Sequence, residues 1–143
     1  MNTENKSEQH AVAKAEPSGK AALVVWLAAH LNKGEHYAGV VIGADGLPTH
    51  HLVLMSGSAS DVSWPDAKAW AEKTGGELPT RQEQALLFAN LKDHFEARAY
   101  WSGEQHAASA GYAWCQYFGD GNQYDDYKSA SLRARAVRRL IIS

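Results

Sequence analysis

The longest apolar run in the chain, Ala21 to Leu31 (AALVVWLAAHL), is apolar on every side when placed at helical spacing. Before it, residues 1–19 (MNTENKSEQHAVAKAEPSG) are polar, carry Pro17 and Gly19, and show no sustained apolar period. Such a segment buries too little surface to order itself and reads as a flexible tail. Helix formers dominate from Lys20 to Asn32, and Gly34 stands where a C-cap glycine would, so residues 20–34 are expected to form an N-terminal helix. A helix that is apolar all round is usually buried in its own domain; otherwise it joins copies of that domain.

A domain is expected over residues 35–143. His36 to Gly43 and His50 to Ser56 are strand-like, and Asp45-Gly46 between them predicts a hairpin. Ser63 is a helix cap followed by Pro65 and Asp66 in the first turn; Trp64, Ala67, Trp70 and Ala71 recur at helical spacing until Gly75-Gly76. Thr80 and Glu83 make a capping box for a second helix, with Ala85, Leu87, Phe88 and Leu91 as its buried face. Short strands follow over Ala99 to Ser102, Gly111 to Phe118 and Leu132 to Ile142, with a Gly/Asp/Asn turn between the last two. This order predicts an α+β fold, two helices packed on a small antiparallel sheet, rather than a parallel βαβ arrangement.

Composition narrows the function classes. The chain has 143 residues, of which 45% are hydrophobic, enough for one core without staples, and a formal net charge of -2. No global basic character points to nucleic acid as a partner. Cys115 is the one cysteine, so no disulfide forms within the chain and a reducing compartment fits best. The apolar run is too short to span a bilayer and lacks a cleavage site of small residues, which argues against membrane insertion and secretion. The expected location is the cytoplasm.

Four stretches carry a resemblance: Gly76 to Glu83 (GELPTRQE), Tyr100 to Glu104 (YWSGE), Ala113 to Gly121 (AWCQYFGDG) and Leu132 to Arg139 (LRARAVRR). In that order, over roughly residues 35–140, they resemble the DUF1566 family. The resemblance implies a C-type-lectin-like fold, related in architecture to formylglycine-generating enzymes and to the variable proteins of diversity-generating retroelements. It further implies a binding module of phage or prophage type, located in the cytoplasm of a host cell or on a virion. On that pattern Trp101 and Trp114 stack in the core, Phe118-Gly119-Asp120-Gly121 turns through positive φ, and one closing strand points Arg133 and Arg135 outward with Leu132, Ala134 and Ala136 inward. The chain departs from these relatives in two respects. Formylglycine-generating enzymes use a cysteine pair, and the Glu-Pro-Asn and Trp-Asn-Asp calcium strings of animal lectins do not occur here.

Asp120, Asn122, Asp125 and Asp126 could offer oxygens to calcium, but lack the EF-hand glycine and glutamate, so hydrogen-bonded turn roles are expected. His50 and His51 are adjacent in a strand and point to opposite faces, which rules out joint chelation. Cys115 reads as a buried small hydrophobe rather than a nucleophile. No catalytic residue, metal or cofactor is expected. What remains is a polar surface set, Tyr112, Gln116, Gln123, Tyr124, Asp126, Tyr127 and Lys128, with a composition like that of antibody paratopes. The expectation is a non-enzymatic module that binds a protein or a surface ligand. Its alternatives are an intracellular inhibitor of a host defence or regulatory complex and, more weakly, an enzyme of the formylglycine-generating type. Self-association through the N-terminal helix is a further expectation.

Overall fold

A computed structural model describes residues 19–143; the tail expected over residues 1–19 lies outside the described residues except for Gly19. The fold is α+β. Helix α1 (Lys20–His30) leads into the hairpin β1 (His36–Ile42) and β2 (Pro48–Leu54), then β3 (Ala59–Val62), α2 (Trp64–Lys73) and α3 (Arg81–Leu91). A single 3-10 turn (Lys92–His94) is followed by β4 (Ala99–Gln105), β5 (Tyr112–Tyr117), β6 (Gln123–Tyr127), β7 (Leu132–Ala134) and β8 (Val137–Ile141).

The strands form two sheets, one ordered β1-β2-β8 and one ordered β3-β7-β4-β5-β6. All pairings are antiparallel except a short parallel contact of β4 with β7 at Tyr100 and Arg133. The expected closing strand over Leu132 to Ile142 is therefore two strands in two sheets. Arg135 lies in the break, its guanidinium donating to the carbonyls of His94 and Met55, while Ala134 and Ala136 are buried as expected.

Side-chain caps set the helix starts. Ser63 accepts from the Asp66 amide at the head of α2, and Thr80 and Glu83 complete the reciprocal capping box of α3. At the other end of α2, the amides of Gly75 and Gly76 donate to the carbonyls of Glu72 and Ala71, the paired bonds of a glycine-terminated helix. The end of α1 differs from expectation. Leu31, extended, closes it through a bond to the Leu27 carbonyl, and Gly34 serves the following turn instead.

The three-stranded sheet has helices on both faces. His50 reaches Glu83 of α3 through Nε2 at 2.7 Å, whereas the next residue, His51, meets Trp26 of α1 at 4.7 Å between ring centroids. Adjacent strand residues pointing opposite ways is what the sequence predicted for this pair. On the α3 side, Leu52, Leu54, Leu87, Tyr100 and Phe118 form one buried cluster; a second, around Trp64, Trp101, Cys115 and Ala134, lies between α2 and the five-stranded sheet. Helix α1 is not buried as its composition suggested. None of its residues is buried, and Val25 is 71% exposed. The face expected of α3 also differs: Ala85 is exposed, while Glu83 and Gln84 are buried beside Leu87.

Candidate functional site

The β5–β6 hairpin carries every residue of the surface set except Lys128, which follows it directly. Its turn is built by Gly119 to Asn122. Gly121 has φ +83 and its missing Cβ leaves room for the Phe88 ring, while Gly119 gives way to the Tyr117 ring rather than adopting positive φ. Asp120 uses both carboxylate oxygens on Asn122, at 2.9 Å to the backbone amide and 3.0 Å to the side chain. It is a turn residue, as the sequence suggested.

The pairing register divides the hairpin into two faces. Tyr112 lies opposite Tyr127, Trp114 opposite Asp125, and Gln116 opposite Gln123; on the other face Ala113 meets Asp126 and Cys115 meets Tyr124. The seven residues singled out from the sequence do not share one surface. Tyr124 and Asp126 point away from Tyr112 and Tyr127. Gln116 is only 1% exposed, which removes it from any surface: its amide donates to the Gln84 carbonyl and its oxygen accepts from Gln123. Gln123 is a clamp as well, donating to the Arg81 carbonyl at 2.7 Å and accepting from Arg81 Nε at 3.0 Å. These amides lock the head of α3 to the hairpin. Lys128 is held by Gln105 at 2.6 Å and lies over the Trp64 ring.

The first face gathers groups that the sequence did not bring together. The Arg81 guanidinium lies 3.6 Å from the Trp114 ring centroid, and His106 stacks on the same indole at 5.1 Å. His106 Nε2 sits 3.7 Å from Asp125. Beyond Trp114 the Tyr112 and Tyr127 rings pack at 4.7 Å, and Tyr127 is 59% exposed. Trp114 is thus half-buried on the outer side of β5, not stacked in the core with Trp101, which is fully buried. Arg81 was hidden in a capping motif and His106 in a loop, so neither carried a signal of its own. Asp125, expected in a turn, lies in β6 opposite Trp114, a placement that pairing the strands in register gives.

Electrostatics of the hairpin follow from its carboxylates and its burial. Hydrogen bonding to Tyr127 holds the Tyr112 hydroxyl above the usual phenol range, helped by burial and by the charges of Tyr127, Asp125 and Asp126. Burial pushes Tyr124 up to about 12 and the Cys115 thiol up to about 12 as well. Cys115 is fully buried and its Sγ donates to the Tyr124 carbonyl at 3.3 Å, so it behaves as the small hydrophobe expected and not as a thiolate. The edge strand β6 is partly closed: Asp126 accepts from the Tyr127 amide at 2.8 Å, and the Tyr127 carbonyl accepts from Ala130.

A second polar centre, between α3 and the three-stranded sheet, is structural. Glu83 is 1% exposed and receives His50, Arg139 and the Thr80 amide. Burial alone would push its carboxyl up, but Arg139, the Thr80 amide and His50 together bring it below the ordinary carboxylate range. Among the described residues, no three His, Cys, Asp or Glu side chains stand close enough to hold a metal ion, and no helix is long and apolar enough to cross a membrane. The sequence matches no protein-family model, and no curated protein matches it.

Proposed function

We propose that this chain is a non-enzymatic binding module of C-type-lectin-like architecture that captures a protein or surface ligand on the first face of its β5–β6 hairpin. The observation that carries this reading is the exposed Tyr127 packed on a half-buried Tyr112, beside a Trp114 whose neighbours Arg81, His106 and Asp125 are already fixed in place. Rigid aromatic area offered with little entropy left to lose is what a binding face needs. Support for the architecture comes from the α+β order, the helices α2 and α3, and a sheet that joins β1 and β2 from the start of the domain to β8 at its end. A phage or prophage setting, and action inside the host cell or on a virion, are part of the same proposal.

The test compares two variants in pull-downs from host lysate and envelope fractions. Asp125→Ala with Tyr127→Ala alters the first face, whereas Tyr124→Ala alters the opposite one. All three side chains are at least partly exposed, so melting should shift by no more than a few degrees. Loss of capture in the double variant with retention in Tyr124→Ala is the expected result. Equal capture by wild type and the double variant would overturn the assignment.

A further inference from the structure

A cleft of about 400 Å³ opens beside β3 and β7, is lined by Asp61, Arg98, Ala99, Ser131, Leu132 and Arg133, and shares no lining residue with the β5–β6 hairpin. Three charged side chains border it. Arg133 is oriented by its neighbours, Nη1 donating to Ser60 at 3.0 Å and Nη2 lying 3.3 Å from Glu96. Arg98 is anchored through its backbone, whose amide donates to Glu96 and whose carbonyl accepts from Phe118, while its guanidinium makes no hydrogen bond or ion pair among the described residues. The Asp61 carboxylate makes none there either.

Asp61 is also the one non-glycine among the described residues with positive φ, at 53°. It lies in the irregular step between the Ala59–Ala134 and Val62–Leu132 pairs, where a bulge re-aims the side chain. An aspartate and two arginines therefore border one cleft, yet no ion pair joins Asp61 to either guanidinium. Opposite charges held apart at that scale leave a gap that a molecule bearing both charges would bridge.

We propose that this cleft binds a small zwitterion of the free α-amino acid class, its carboxylate on Arg98 and Arg133 and its ammonium on Asp61. Ser131 adds a hydroxyl, and Ala99 and Leu132 give the walls an apolar part suited to a small aliphatic side chain. The volume accommodates such a molecule with water around it.

The full chain, labelled with nitrogen-15, is titrated with L-alanine, with acetate as the carboxylate alone and with methylamine as the ammonium alone. L-alanine should give saturable amide shifts at Asp61, Ala99 and Ser131 and bind more tightly than either single-charge probe. Arg98→Gln should weaken it at least about tenfold, the usual worth of a charge-assisted hydrogen bond. Asp61→Asn keeps the backbone conformation, which asparagine also tolerates, and should reduce L-alanine to the level of acetate. The amide spectrum itself reports that both variants are folded. Absence of saturable shifts in the millimolar range, acetate binding as tightly as L-alanine, or unchanged binding in both variants would each overturn the proposal.

Discussion

Arg139 grips Glu83 with two nitrogens, Nε to Oε2 at 2.7 Å and Nη2 to Oε1 at 2.8 Å, and so ties β8 to the first turn of α3. The carboxylate is buried, and Arg139 also reaches the exposed Glu77. Removing the charge from the buried partner leaves a half-buried guanidinium without its principal counter-ion. Glu83→Gln should therefore destabilise the fold by about 3 kcal/mol, or about 10 °C in melting temperature. Glu77→Gln, at the exposed end of the same arginine, should cost about 0.5 kcal/mol or less. Chemical denaturation of the two variants checks the contrast; equal costs would contradict it.

Acid should destabilise the protein in two steps. His36 stacks on His94 at 3.8 Å, and burial, with the nearby His94 and Arg135, lowers its pKa from the ordinary 6.5. A base harder to protonate when folded favours the unfolded chain as pH falls, so stability is whole above about pH 6.5 and declines below it. Glu83 is lowered from 4.5, as is Glu35 through its hydrogen bonds from Arg138, so their contribution is whole above about pH 4.5 and is lost as they protonate. Denaturation midpoints across pH should show both steps, and His36→Gln should remove the upper one alone. An unchanged slope between pH 6.5 and 5 in that variant would exclude His36 as its source.

Cys115 should report opening of the second core cluster. With its thiol fully buried and its pKa at about 12, the native protein at pH 8 should react with a disulfide reagent about a thousandfold more slowly than the unfolded chain. The rate should rise with denaturant in step with global unfolding. Rapid labelling in native buffer would mean that β5 opens on its own.

Local chemistry made much of this fold legible. The caps at Ser63 and Thr80 name their helices because each side chain satisfies a backbone amide of its own first turn, and Asp45-Gly46 names the first hairpin. Strands β3 and β6 leave little trace in the sequence, each for its own reason. The first is four residues long with a bulge at Asp61, and the second, Gln-Tyr-Asp-Asp-Tyr, is too polar to look like a strand although β5 pairs with all of it. Read as one loop, the β6 residues group Tyr124 and Asp126 with Tyr127 and leave Asp125 as a turn residue outside the binding set. Buried Gln116 and half-buried Gln123 read as free surface amides in the sequence because their partners, Gln84 and Arg81, are about thirty to forty residues away. Side-chain amides satisfied at that range leave no local mark.

Photo-crosslinking from the hairpin tests the binding face most directly. A benzophenone side chain in place of Tyr127 and, separately, in place of Tyr124 should be irradiated in host extract, since the two residues lie on opposite faces of β6. The account expects a discrete adduct from position 127 that Asp125→Ala weakens, and none from position 124. Adducts of equal yield from both positions, or from position 124 alone, would contradict it.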